Sequence, residues 1–195
     1  MVAGLVVLSI LDRQSSASRR SAPADRYRGA QTLVVHVVDG DTIDVDLPDG
    51  RSPRTRIRLW GVDCPEIAHG AGSAAAHFGP EAAEFTRRAL LNRIVTLELE
   101  PVRPPRDRHG RLLAYVRLPN AEETFNETLL RTGHAYADSR FAHEFRGQFA
   151  EAERDARHDR RGLWRDVRPE QMPRWRRAAG LRGSERKSIA APDRR

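Results

Sequence analysis

VDGDTIDVDLPDGRSPRTRIRLWGVDCPE, running from Val38 to Glu66, alternates apolar and charged residues with the period of a β-strand. Ile43, Val45 and Leu47 alternate with Asp44 and Asp46, and Pro48-Asp49-Gly50 then turns the chain. From Arg54 to Val62, Thr55, Ile57 and Leu59 share one parity while Arg54, Arg56 and Arg58 share the other. A period of two with one apolar and one charged side predicts strands buried on one face. Just upstream, Leu33 to Val38 is a Val-rich strand that ends in the hairpin-type turn Asp39-Gly40. Three strands joined by short turns make a meander.

Downstream the period changes. Residues 67–79 are small and flexible, as in a loop beside a site. Pro80 to Asn92 reads as a helix, with Pro80 in its first turn, Glu81 and Glu84 near its positive end, and a stripe of Phe85, Ala89 and Leu90. Ile94 to Leu99 returns to strand, and a Pro- and Arg-rich loop to His109 precedes another strand, Arg111 to Leu118. A short helix around Phe125, Leu129 and Leu130 ends at Gly133, and a longer one is expected from Ala142 to Arg161, stopped by Gly162. Five short strands interrupted by one helix, without βαβ alternation, argue for an α+β fold: a small closed five-stranded barrel of the OB type with about three helices.

The opening stretch also gathers chemistry. Asp41, Asp63 and Glu66 are hard oxygen donors of the kind that suit Ca²⁺ or Mg²⁺. Arg58, and Arg111 in Asp107-Arg108-His109-Gly110-Arg111, can donate paired hydrogen bonds to the oxygens of a phosphodiester. Together they outline a metal-assisted phosphodiesterase, in which Glu66 is the nearby carboxylate not needed as a ligand and suits the role of general base. Residues Asp39 to Asp46 do not form an EF-hand loop, because Ile43 and Asp44 stand where a ligand and a glycine are required. Cys64 as a thiol nucleophile would need a base that the sequence does not place beside it.

The formal charge is +7 over 195 residues, and its distribution is uneven. Residues 174–195 hold eight Arg or Lys against two acids, and residues 1–30 hold five Arg against two Asp, which leaves residues 31–173 at −2. Basic flanks attract polyanions through counterion release, or are simply solvated. A near-neutral barrel with 6% aromatic residues argues against a protein that coats single strands. The single cysteine excludes an intrachain disulfide, and no Cys/His spacing matches a zinc site. Val2 to Leu11 has the length of a signal-peptide core and is succeeded by small residues at Ser15-Ser16-Ala17 and Ala22-Pro23-Ala24, although no Lys or Arg precedes it. Export is the expectation, with a cytoplasmic N-terminus as the alternative. The chain thus divides into a signal peptide and linker over 1–30, one barrel domain over 31–173, and a basic tail over 174–195.

Five words in order carry a resemblance: Val38-Asp39-Gly40-Asp41-Thr42; Arg58-Leu59 with Gly61 to Glu66; Gly79-Pro80-Glu81-Ala82; Asp107 to Arg111 with Leu113-Ala114-Tyr115; and Asn126-Glu127, Gly133 and Gly162-Leu163-Trp164. This arrangement resembles the staphylococcal nuclease family over residues 31–165. The resemblance implies an OB-like barrel and a Ca²⁺-dependent nuclease, a monomer, acting on DNA and RNA to leave 3′-phosphates. By motif position Asp41, Asp63 and the backbone carbonyl of Cys64 would hold the ion, Asp39 would support them from behind, and Thr42 would lie nearby. Arg58 and Arg111 would hold the phosphate and Glu66 would act on the attacking water. Where the family packs nucleotide rings against aromatics, this sequence offers His109, Tyr136 and Phe141. Trp164 and Trp175 read as packing anchors. Related domains that have lost the acids and arginines serve as nucleic-acid or protein scaffolds, which is the competing reading.

Overall fold

The computed structural model describes residues 25–68, 70, 72–101 and 105–178. The apolar run at Val2–Leu11, the segment up to Ala24 and the tail beyond residue 178 lie outside them. In chain order the strands are β1 (Gln31–Val37), β2 (Thr42–Val45), β3 (Thr55–Leu59), β4 (Val62–Asp63), β5 (Ile94–Glu98), β6 (Leu112–Arg117) and β7 (Tyr136–Ala137). The helices are α1 (Gly79–Leu90), α2 (Phe125–Arg131) and α3 (Arg146–His158). Five of the strands close into a barrel in the order β1-β2-β3-β6-β5, as the alternation anticipates. Every pairing in the barrel is antiparallel except that of β3 with β6.

The period-2 pattern is realised on β3, where Thr55, Ile57 and Leu59 are buried and Arg56 and Arg58 point outward. Ile57 lies opposite Ile43 on one side and Leu112 on the other, all without solvent exposure. Register is therefore fixed by the core, since a slip of one residue would drive Arg58 into the barrel. On β2 all four residues are buried. Asp44, expected on the solvent side, is covered by Arg56, which donates to both its oxygens (2.7 and 3.0 Å). Burial opposes ionisation of this acid, but Arg56 and His36 bring its pKa below the usual range. A bulge at Val35 separates the pairs Val34–Val45 and His36–Asp44.

Two elements depart from the sequence reading by three residues or more. The strand expected over Arg54–Val62 breaks at Gly61, which is left-handed (φ 77°) and where a Cβ would lie 2.7 Å from the His143 ring. Past the break the chain enters the two-stranded ribbon of β4 and β7, in which Asp63 faces Tyr136. The last helix begins at Arg146 rather than Ala142 because the preceding segment is drawn onto β6 and the residues after β5: His143 Nδ1 lies 3.2 Å from the Tyr115 hydroxyl, and the Glu144 N–H donates to Glu100. It ends at His158, where left-handed Arg160 (φ 53°) lets the Arg161 N–H reach the Ala156 carbonyl at 2.8 Å.

Several words of the motif turn out to hold elements together. Asn126 is fully buried, donating to the Trp60 carbonyl (2.9 Å) and accepting from the Val116 N–H (3.0 Å), so it ties α2 to the barrel. Glu127 accepts from Gln148 of α3 at 2.6 Å. Gly133 and Gly162 are pressed together: each has positive φ, and a Cβ on either would lie 2.2 Å from a backbone carbonyl oxygen of the other's turn. Gly133→Ala should therefore cost about 3 kcal/mol, from strain and steric overlap together. That loss would appear as a fall in thermal midpoint of about 6–12 °C, and an unchanged midpoint would refute this packing argument. Among the described residues no helix is long and apolar enough to cross a membrane.

Candidate active site

The acids and arginines of the opening stretch converge because of the β2–β3 register. Thr42 pairs with Arg58, and the Leu59 N–H donates to the Asp41 carbonyl at 2.8 Å, which sets Asp41 beside the Arg58 side chain. Asp39 shapes the turn: its Oδ1 accepts the Asp41 N–H at 2.9 Å. Behind the turn, Thr86 of α1 donates to the Gly40 carbonyl at 2.6 Å. The turn also presses on Cys64, since a Cβ at Gly40 would meet the Cys64 Cβ at 2.7 Å.

Arg58 is the centre of the cluster. Its Nη1 lies 2.6 Å from Asp41 Oδ1 and its Nη2 donates to Asp63 Oδ1 at 2.8 Å, while Nη1 also reaches the Val62 carbonyl at 3.1 Å. Burial works against its charge, but Asp41 and Asp63 raise its pKa beyond the ordinary arginine value. Asp41 is buried and its Oδ2 accepts the Cys64 N–H at 2.6 Å; Thr42 donates to Oδ1 at 3.3 Å. Burial pushes the Asp41 carboxyl up to about 8 even though Arg58 pulls it down, and Asp39 and Asp63 add to the upward push. Asp41 and Asp63 thus share one guanidinium in a site where burial opposes the charge of Asp41.

A bound cation would favour the ionised form of both carboxyls, and oxygen donors alone suit a hard divalent ion held by Asp41 and Asp63. Among the described residues no three His, Cys, Asp or Glu side chains gather closely enough to hold an ion by themselves. Carbonyl, water or substrate oxygens would have to complete the coordination. The Cys64 thiol is buried and its pKa is pushed well up, chiefly by burial, so it is a packing group rather than a nucleophile.

Arg58 opens onto a cavity of about 480 Å³ whose lining includes Arg108, His109, Arg111, Arg140 and Phe141. Such a volume accepts a ligand of nucleotide size. Arg111 is aimed by Asp107, whose Oδ2 accepts from Arg111 Nε at 2.8 Å and whose Oδ1 accepts the N–H groups of His109 and Arg111. Burial opposes ionisation of Asp107, but these hydrogen bonds keep its pKa below the usual range. Arg106, also on the lining, is anchored on Asp49 at 2.8 Å and on the Tyr27 hydroxyl. Phe141 is 42% exposed and rests on Trp60, ring centroids 5.4 Å apart. His109 is exposed at the same cavity.

Two residues named from the sequence stand apart from this grouping. Tyr136, expected as a surface for nucleotide rings, is 1% exposed and packs edge-on against Trp164 at 5.3 Å. Its pairing with Asp63 on the β4–β7 ribbon turns the ring into a second small core, so it offers no face to a ligand. Glu66 has an exposed side chain and does not line the cavity; its carbonyl accepts the Ala76 N–H at 2.8 Å.

Two residues of the cluster escaped the sequence reading. Arg140 lines the cavity, is clamped by Asp138 through two 2.8 Å hydrogen bonds, and lies 3.4 Å from Asp63 Oδ1. Asp138 and Arg140 flank Ser139 in the segment between Gly133 and α3, and that spacing was the available signal. Trp175, read as a packing anchor, also donates its indole N–H to Asp63 Oδ2 at 2.7 Å. Nothing local to residue 175 announces this contact.

A closed barrel with a buried acid–arginine cluster beside a basic cleft defines an OB-type enzyme-like domain. Residues 56–166 match the family described as "Staphylococcal nuclease homologue". The chain is 35% identical to a thermonuclease of Staphylococcus hyicus over 165 residues, covering 84% of this chain and 93% of that protein. It is 37% identical to a thermonuclease of Staphylococcus intermedius over 138 residues, 70% of this chain and 77% of the relative. A micrococcal nuclease of Shigella flexneri is 30% identical over 153 residues, 75% and 80% of the two chains. The chain belongs to the staphylococcal nuclease family.

Proposed function

We propose that this protein is a calcium-dependent nuclease that hydrolyses phosphodiester bonds of DNA and RNA and leaves 3′-phosphates. The observation that carries the reading is the cavity on which Arg58 and Arg111 both open, beside the buried carboxyl of Asp41 and the half-buried one of Asp63. The names of the relatives support the class of reaction.

Asp41 and Asp63 would hold the cation, with the Cys64 carbonyl as a third donor. When bound, the ion neutralises a phosphodiester's charge and stabilises what develops on the phosphoryl oxygens. The guanidiniums of Arg58 and Arg111 can sit beside a cation and still donate to the non-bridging oxygens. Asp107 presets the direction of Arg111, which lowers the cost of ordering it on substrate. Glu66, three residues after Asp63 but outside the cavity lining, would have to turn its carboxylate toward the cavity to take the proton of the attacking water. Phe141 and His109 offer faces for a base or sugar. Export fits the apolar run at Val2–Leu11, and the basic flanks add non-specific affinity for the substrate.

The second reading is a barrel that binds nucleic acid without cutting it. It draws on the way Arg58, Arg140 and Trp175 already engage the Asp63 oxygens. Cleavage of single-stranded DNA and of RNA, with added Ca²⁺ and then with a chelator, separates the two. Cleavage is expected only with the ion. Binding without cleavage under every divalent cation would leave the scaffold reading standing.

A further inference from the structure

The family match ends at residue 166, yet the chain beyond it returns to the site. A 3-10 turn at Pro169–Gln171 is succeeded by a helical turn in which the N–H groups of Arg176 and Arg177 donate to the Pro173 carbonyl at 2.9 and 3.1 Å. This turn is fastened on both sides. Trp175 packs with Val167 and Met172 against the cluster of Tyr136, Ala156, Leu163 and Trp164. Arg176 pairs with Glu153, a buried acid whose other oxygen accepts the Ala137 N–H at 3.1 Å.

From that seat the Trp175 indole N–H reaches Asp63 Oδ2 at 2.7 Å, across 112 residues of chain. The opposite oxygen, Oδ1, faces Arg58 at 2.8 Å and Arg140 at 3.4 Å. The Arg140 guanidinium in turn lies 4.7 Å from the centre of the Trp175 ring, so the indole supports both partners of the carboxylate. A carboxylate torsion is broad when unrestrained. Here it is held from both sides. The two kinds of donor are not equivalent: a guanidinium offsets the charge it orients, whereas an indole N–H is a neutral donor with no acceptor capacity. Oδ2, which takes the single indole hydrogen bond, keeps a further lone pair for a cation.

We propose that Trp175 is a positioning residue of the nuclease, its indole N–H fixing the Asp63 carboxylate in the orientation that a divalent cation requires while leaving its charge intact. This rests on the assignment of Asp63 as a cation ligand. The segment after the last helix is then part of the site, and the enzyme is complete only with residues up to at least 177.

The test compares the full chain with Trp175→Phe, which keeps a ring for packing and removes the donor. Three readouts are needed: Ca²⁺ affinity by calorimetry without nucleic acid, thermal midpoint in chelator, and kcat and KM on single-stranded DNA. Ca²⁺ affinity should fall about tenfold, the loss that removing a ligand's hydrogen-bond partner typically brings. The chelated midpoint should stay within about 2 °C, on the small scale of a partly exposed substitution. KM for DNA should hold, because phosphate is gripped by Arg58 and Arg111. A nitrogen-15 spectrum gives a check without the ion: the indole resonance that Trp175→Phe deletes should shift in Asp63→Asn. Unchanged Ca²⁺ affinity with a lowered midpoint would make Trp175 a packing residue only. Tighter Ca²⁺ binding would mean that the N–H competes with the ion, and would also overturn the proposal. A wild type that binds no divalent cation overturns this role and the calcium reading together, whereas a wild type that binds Ca²⁺ no better than the variant overturns this role alone.

Discussion

Arg58→Ala should reduce cleavage by about a thousandfold or more and destabilise the cation-free protein by about 3–5 kcal/mol. The two effects have one cause. Arg58 is the cation that Asp41 and Asp63 share, at 2.6 and 2.8 Å, and its side chain is only 13% exposed. Removing it leaves two carboxylates close together in a site where burial already opposes the charge of Asp41, so their mutual repulsion and desolvation fall on the folded state alone. Arg58→Lys keeps a charge and loses the fork: Nη1 and Nη2 serve different acids, and one ammonium cannot replace both contacts at once. The lysine variant should therefore recover part of the stability and little of the activity. Added Ca²⁺ should restore stability to Arg58→Ala more than it adds to wild type, since the ion would replace the lost positive charge. Chemical denaturation with and without Ca²⁺, beside initial rates on single-stranded DNA, reads all three effects. If Arg58→Ala proved as stable as wild type in chelator, the shared-cation account of the cluster would be wrong.

The barrel was legible because its information is local. Parity on Thr55, Ile57 and Leu59, and the turns at Asp39-Gly40 and Pro48-Asp49-Gly50, act over a few residues, and burial enforces what they suggest. What the sequence did not disclose depends on distant parts of the chain. The break at Gly61 answers to His143 and Phe149, more than eighty residues on, and no strand pattern could announce it. The start of α3 answers to Tyr115 and Glu100. Burial of Tyr136 arises from the two-residue ribbon with β4, too short to leave a periodic signal.

The candidate site divides in the same way. Asp41, Arg58 and Asp63 lie within one meander, so their convergence is a consequence of the β2–β3 register. Arg111 joins them because β6 runs parallel to β3, with Arg58 beside Leu113. That pairing is topological and was reached in the sequence only through the resemblance. Arg140 and Trp175 were missed because each depends on a tertiary contact with Asp63 made from the C-terminal part of the chain. A charged residue between Ser139 and Phe141 and a tryptophan in an Arg-rich segment have plainer readings when seen alone.

Glu66→Gln should lower kcat by about 10²- to 10⁴-fold, the range of a lost general base, while leaving the fold untouched. The contrast with Arg58 is the point of the experiment. Glu66 is exposed on the loop after Asp63, and its backbone is held in place: the carbonyl accepts the Ala76 N–H at 2.8 Å and abuts Gly79 at the start of α1. An amide of the same shape can occupy that place, so stability should move by less than about 0.5 kcal/mol, as for surface substitutions generally. Asp41 and Asp63 are unaltered, so Ca²⁺ affinity should hold to within a few-fold; Arg58 and Arg111 are unaltered, so KM should hold as well. The loss should then be confined to kcat, which is the signature of a group acting only in the transition state. A variant that cuts at the wild-type rate would show that water is activated without Glu66. A variant that loses Ca²⁺ along with activity would make Glu66 a ligand instead, and would move the search for the base to another carboxylate. Asp39, whose Oδ1 holds the Asp41 N–H at 2.9 Å, is already committed to shaping the turn and would be a poor substitute.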